Sequence, residues 1–125
     1  MTVLLITPGW DNEDVRNPDG PPSSHIASGR WPDARLADDA PPGAHIAQAL
    51  ARGLLKVMDE RGLSARAVAE LVGSTHPTIG RILDGSGVTD ARTVFLLEVA
   101  LRTPLWPADL HRDFRLDVQS PGSGA

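Results

Sequence analysis

The stretch of sequence that decides the fold runs from residue 62 to residue 85 and reads GLSARAVAELVGSTHPTIGRILDG. It contains two helix-forming runs, 65–72 and about 75–84, separated by Gly73, which can adopt the positive φ of a tight turn. Ser64 and Thr75 are good N-cap residues for the two runs, and Gly85 ends the second. Two short helices joined by a glycine turn predict a helix-turn-helix.

The second helix of this motif has two different faces. Ile79 and Ile82 are spaced to lie on the buried side, and Ala69 of the first helix lies where the helices cross, since a larger side chain would separate them. Pro77 fits the first turn, where its missing N–H costs nothing. The outer side then carries His76, Thr78 and Arg81.

Helical patterns flank the motif on both sides. Before it, apolar residues between Ala44 and Arg61 step by three and four and predict one buried stripe, formed by Ile46, Leu50, Leu54, Val57 and Met58. After it, a helix is predicted to start at Thr89, with Asp90 in its first turn, and to stop at Pro104. The inward positions predicted on these and on the short helix 65–72 are Val68, Leu71, Val94, Leu97 and Leu101.

The segment after Pro104 predicts one more short element. Pro107 can open a last helix, in which Leu110 and Phe114 would cap the core. Trp106 is interpreted as a core residue. With this helix the sequence predicts an all-α domain of five helices over residues 43–116, followed by a flexible tail over 117–125.

The chain before residue 43 has a different character. Residues 1–42 carry seven acidic and three basic side chains and many prolines and glycines, without a helical or strand period, so we expect an acidic leader that is mostly disordered. The run 2–6 has the composition of a short strand but no convincing partner. Trp10 and Trp31 leave three interpretations open: isolated exposed aromatics, side chains that fold back on the domain, or anchors for a partner.

Composition excludes several kinds of chemistry. The chain has no cysteine, and its four histidines lie 20 to 35 residues apart, so we expect no disulfide and no metal site. No glycine-rich loop follows a strand, and the carboxylates are scattered, so we expect no cofactor and no enzyme activity. No apolar run approaches the roughly 20 residues that span a bilayer, which predicts a cytoplasmic protein without membrane contact.

Residues 62–85, with the helices around them, resemble the lambda-repressor-like family, also called XRE or Cro-type. The resemblance implies a five-helix domain that acts as a transcriptional regulator and often binds double-stranded DNA as a dimer. It places His76, Pro77 and Arg81 where family members read base edges, and Thr75 and Thr78 beside them at the start of the recognition helix. Positions that touch phosphates in the family are Ser64, Ala65 and the loop from Ser86 to Thr89.

Some positions depart from the family pattern. Ala65 stands where many members have a glutamine that contacts phosphate. Gly80 lies inside the recognition helix, where glycine costs about 1 kcal/mol relative to alanine, which suggests a close approach of backbone, DNA or a partner. Met58 and Leu83 stand where many members have an ion pair; both positions are apolar here, which leaves no charge unpaired.

Two functions follow, and both stay open on the sequence. The first is sequence-specific binding of double-stranded DNA by a small transcriptional regulator. The second is a protein-interaction module, such as a partner of another regulator, an antitoxin-like protein or an assembly subunit. It is favoured by the near-neutral segment 43–116, with nine basic and eight acidic side chains. A homodimer, with a contact surface between Leu105 and Phe114, and a protein bound by the leader are further partners to test.

Overall fold

The computed structural model describes residues 4–6 and 19–116. In this part of the chain four α-helices form the core, and short extended segments lie at both ends. The elements are β1 (Leu4–Ile6), a 3₁₀ helix (Pro22–His25), β2 (Ile26–Ser28), β3 (Arg35–Leu36), α1 (Pro42–Arg61), α2 (Ala65–Val72), α3 (His76–Asp84), α4 (Ala91–Leu101), a second 3₁₀ helix (Leu110–Asp113) and β4 (Phe114–Leu116).

Helices α1, α2 and α3 each end at a glycine, as the sequence predicts. Gly62, Gly73 and Gly85 follow α1, α2 and α3 with φ values of 64°, 66° and 73°, in the left-handed region that glycine adopts without strain. The prediction that α4 starts at Thr89 is wrong by two residues. Asp90 is its N-cap instead, and its carboxylate accepts a hydrogen bond from the Thr93 N–H at 2.8 Å.

The core lies where the four helices meet. It contains the predicted stripes of α1, α3 and α4, with Val68 and Ala69 from α2. Leu71, predicted to face inward, is 54% exposed. Val72 packs against the core in its place. The inward stripe of α2 consists of Ala65, Val68, Ala69 and Val72, which are three or four residues apart, and Leu71 lies to one side of that stripe.

The predicted fifth helix is wrong. Residues 110–113 form a single 3₁₀ turn, and β4 pairs in parallel with β1, with Leu4 opposite Phe114. Residues 4–6 of the predicted run thus have a strand partner more than 100 residues away, at 114–116, which no local pattern indicates. Trp106 is 52% exposed rather than in the core, and its neighbour Leu105 takes the buried position.

The expected disorder of the leader is wrong for residues 19–41. The strands β2 and β3 form an antiparallel hairpin, in which Ile26 pairs with Leu36. The first 3₁₀ helix packs on α1, and the buried side chains of this segment are Pro22, Pro32, Ala34 and Leu36. These residues order by contact with the helices and without any period of their own. Trp10 and the predicted tail 117–125 lie outside the described residues.

Polar contacts hold this part of the leader on α1. The Gln48 side-chain amide, buried on α1, donates to the Ala34 carbonyl oxygen. Arg52 donates from Nε to the Pro32 carbonyl oxygen at 2.9 Å. None of the helices between residues 19 and 116 has the length and apolar character needed to span a membrane.

Candidate nucleic-acid interface

Helix α3 presents one buried and one exposed face. Ile79 and Ile82 are 0% and 5% exposed and fix the helix on the core. His76, Pro77 and Arg81 are exposed on the outer side, as the sequence predicts. A short helix anchored by one face and open on the other is the arrangement by which helix-turn-helix proteins read the major groove.

The N-terminus of α3 is capped by a pair of threonines. Thr75 Oγ1 accepts the backbone N–H of Thr78 at 3.3 Å, and the two hydroxyl oxygens are 2.8 Å apart. The first turn of a helix has N–H groups without a partner inside the helix. Here the cap satisfies the Thr78 N–H, and Pro77 has no N–H to satisfy. Thr75 is exposed and Thr78 is half-buried, and both hydroxyls lie beside the outer face of α3.

The start of α2 is separate from this threonine pair. Ser64 is exposed, and its Oγ accepts the Ala67 N–H at 3.1 Å. Ala65 is half-buried against the core and offers no polar side chain. Any contact of Ala65 with a phosphate would use its backbone.

Thr78, Arg81 and Thr89 line one groove of about 380 Å³ between α3 and the start of α4. The loop between these helices lies against Arg81, because a Cβ added to Gly87 would be 3.7 Å from Arg81 Cδ. The exposed Ser86 is held by its backbone N–H, which donates to Asp84 Oδ1 at 2.9 Å. The groove also contains residues that the sequence reasoning did not assign to the site, namely Ser74, Ile82, Asp90 and Thr93. Two of them could have been found from the spacing of Asp90 and Thr93, because an N-cap residue accepts a hydrogen bond from the N–H three residues later.

The electrostatics of this surface are balanced. Residues 62–94 contain three arginines and three carboxylates, Arg66, Arg81, Arg92, Glu70, Asp84 and Asp90. The Thr93 hydroxyl, followed by the Thr93 backbone N–H, lowers the pKa of Asp90, so a negative charge persists beside the groove. No salt bridge within residues 19–116 involves Arg81, so its guanidinium pairs with neither Asp84 nor Glu70.

Gly80 has open space around it. A Cβ built on Gly80 would meet no heavy atom within 4 Å among the described residues. The close approach that its helical glycine suggested is therefore not to the backbone of residues 4–6 or 19–116. DNA and a protein partner remain as the groups that could approach it.

A metal centre has no support in the part of the chain described. Residues 4–6 and 19–116 contain no cluster of three or more His, Asp or Glu side chains placed to hold an ion. The arrangement is instead an exposed helix face beside a polar groove. Such a surface can bind a ligand by hydrogen bonds and shape.

Comparison with known proteins defines the class of this domain. Residues 54–105 match the family model described as helix-turn-helix. For this segment the match confirms the resemblance to the lambda-repressor-like (XRE) type that the sequence shows. The family is one of DNA-binding regulators and is typically not enzymatic. No curated protein and no solved structure matches the chain.

Proposed function

We propose that this protein is a small transcriptional regulator that binds double-stranded DNA in a sequence-specific manner, with α3 in the major groove. The observation that carries the proposal is the outer face of α3, which is exposed and bears an arginine that no carboxylate of residues 19–116 neutralises. Arginine is the residue that reads guanine most often, through two hydrogen bonds to O6 and N7. A cytoplasmic location, without cofactor or catalysis, is part of the proposal.

The residues divide by role. Arg81 contacts a guanine, and His76 and Pro77 lie against neighbouring base edges. The group proposed to fix the register on the phosphates consists of Ser64, Ala65, Thr75, Thr78, Ser86 and Thr89. Their small hydroxyls and backbone groups supply hydrogen bonds without charge, which positions the protein but adds little salt-dependent affinity.

Selection from a pool of random duplexes tests the proposal. We expect one short sequence to be enriched by the full-length protein, and a scrambled duplex of the same composition to bind more weakly. A salt titration on the selected duplex should then give a shallow slope of log K against log salt, about −2 to −4 per domain, because few phosphates are neutralised. Selection that enriches no sequence would contradict the proposal.

A second copy of the chain is proposed as partner on the DNA. Phe95 and Val99 lie one turn apart on α4 and are 62% and 53% exposed, and Trp106 in the predicted contact surface is 52% exposed. Sedimentation at several concentrations tests this, with Phe95→Ser expected to shift the equilibrium toward monomer. Leu71→Ser, which removes an equally exposed apolar residue from α2, is the matched control.

The protein-interaction module remains the second candidate. The observation that favours it is the ionised Asp90 beside the groove, which would repel a phosphate. Capture of one stoichiometric protein, with no salt-dependent binding to any duplex, would support this candidate over DNA binding. A partner bound by the leader would have to use residues other than Trp31, whose indole is engaged within the molecule.

A further inference from the structure

Three glycines end α1, α2 and α3 in the same left-handed conformation, but only one of them is covered. A Cβ added to Gly62 or Gly73 would meet nothing within 4 Å. A Cβ added to Gly85 would lie 2.5 Å from Trp31 Cε2 and 2.6 Å from Trp31 Cδ2, too close for any real side chain. The indole of Trp31, in the leader, is therefore seated directly on the residue that ends the recognition helix.

The contact is one of shape rather than of hydrogen bonding. Trp31 Nε1 is buried and has no hydrogen-bond partner within the described residues. The leader makes its polar contact with the same glycine through another residue, since the Ser23 N–H donates to the Gly85 carbonyl oxygen at 2.9 Å. Gly85 is thus held by an apolar ring and by a hydrogen bond.

The end of α3 is connected to the residue proposed to read DNA. The Gly85 and Ser86 N–H groups both donate to the Arg81 carbonyl oxygen, at 3.1 and 3.2 Å. The same loop lies against the Arg81 side chain at Gly87. A displacement of Gly85 would therefore move both the backbone and the loop that surround Arg81.

The leader can fix the position of Gly85 because α1 holds the leader in place. Arg52 of α1 donates to the Pro32 carbonyl oxygen, next to Trp31, and its Nε lies 3.7 Å from Asp33 Oδ1. Gln48 of α1 donates to Ala34. The matched helix-turn-helix segment begins at residue 54, so the leader and α1 residues of this bridge lie outside it, while Gly85 lies within it.

We propose that Trp31 is a positioning residue for DNA recognition: it fixes the C-terminal end of α3 and the loop after it, so that residues 21–36 form part of the DNA-binding unit. The inference rests on the proposed function. An acidic leader could also act by masking, that is, by lying over the DNA face and competing with phosphate. The role assigned to it here is the opposite, since the segment supports the recognition helix.

The test compares three variants of the full-length chain on the selected duplex and on its scrambled control. Trp31→Ala should lower affinity for the selected duplex by about fivefold or more, a typical size for coupling between sites, and reduce its preference over the scrambled duplex. Trp31→Phe should restore both, because it keeps a flat ring and loses no hydrogen bond. Leu71→Ala, which removes an exposed apolar side chain of α2 that has no proposed binding role, should bind like wild type. Circular dichroism would establish that each variant is folded at the temperature used.

Amide hydrogen exchange without DNA separates this inference from the proposed function. In Trp31→Ala the N–H groups of Gly85 and Ser86 should exchange faster. The N–H groups of Gly62, which caps α1, and of Gly73, which caps α2, should keep their exchange rates and serve as internal controls. If selection enriches no duplex, the proposed function fails. Unchanged exchange at Gly85 in Trp31→Ala would, independently, overturn the role of Trp31 in holding the end of α3. Wild-type DNA affinity of Trp31→Ala, or an equal loss in Leu71→Ala, would overturn the positioning role.

Discussion

Arg81 is fixed by its backbone, and its guanidinium is free of the described carboxylates. Its carbonyl oxygen accepts two N–H groups from the turn that ends α3. Its aliphatic portion lies against the loop at Gly87. An always-charged group on an ordered stem loses little freedom when it binds, which favours bidentate contact with a base.

We expect Arg81→Ala to weaken binding to the selected duplex by about 1–3 kcal/mol and to relax the base preference at one position. The measurement is a competition series in which each base pair of the duplex is changed in turn. Lys56→Ala removes one positive charge from an exposed residue of α1 and is the control. If Lys56→Ala relaxed the same position, Arg81 would not be the reading residue.

Gly80→Ala should separate stability from function. The added methyl meets no atom of the described chain, so the free energy of unfolding should rise by about 0.5–1 kcal/mol, the usual gain of alanine over glycine in a helix. DNA affinity should fall, because the methyl projects where a bound duplex would approach. Chemical denaturation and duplex titration measure the two effects.

Gly53 offers the matched control for that experiment. It lies inside α1, and an added Cβ would be 3.4 Å from Leu105 Cδ2, an ordinary contact. Gly53→Ala should leave DNA affinity unchanged. A Gly80→Ala protein that binds DNA as tightly as wild type would show that nothing approaches α3 at this point.

At the scale of elements, α4 is tied to the segment after it by one carboxylate. Glu98 Oε2 accepts the N–H groups of Leu105 at 2.7 Å and Trp106 at 2.9 Å. The Trp106 and Leu105 N–H groups lower the pKa of Glu98. This pair of hydrogen bonds sets the turn that places Leu105 in the core.

The lowered pKa of Glu98 gives a prediction for acid. Its pKa in the folded protein lies below the unfolded value of about 4.3, so its contribution to stability is present above that pH and is lost as the pH falls through the folded pKa. Glu98→Gln should therefore unfold at a lower temperature than wild type at pH 7, and the difference should shrink in acid. Glu60→Gln, exposed on α1, should show no such convergence. A constant difference at all pH values would contradict the role of the charge.

The elements that the sequence predicts well are those with local signals. The ends of α1, α2 and α3 are marked by Gly62, Gly73 and Gly85, and the outer face of α3 follows from its period. The hairpin β2–β3 escaped prediction because its strands have only three and two residues, too few to show an alternating pattern. Strand β4 escaped prediction because its partner β1 is distant in the chain. The seat of Trp31 on Gly85 escaped for the same reason, since no local pattern connects residue 31 to residue 85.

At the scale of the whole molecule, the leader is a structural part of the domain. Its segment 19–41 buries Leu36 and other apolar residues, and burial of one leucine contributes about 1.5–3 kcal/mol. We expect a variant lacking residues 1–41 to be less stable than one lacking residues 1–18 by about 2 kcal/mol or more. Thermal unfolding of the two proteins measures the difference.

The same pair of variants tests masking by the acidic leader. If residues 19–41 support α3, their removal should lower DNA affinity. An increase in affinity on their removal would show instead that the leader competes with DNA. Binding is to be measured at a temperature at which circular dichroism shows both variants folded.

The parallel pairing of β1 with β4 has a consequence for the order of folding. It joins residue 4 to residue 114, so almost the whole chain lies between the paired strands. The contacts between core helices join elements no more than two helices apart in sequence, namely α2 with α3, α1 with α3 and α2 with α4. The entropy lost in closing a loop grows with its length. The helical core should therefore form first and the two strands should meet last. In the native protein, the same three-residue pairing should open before the helices do.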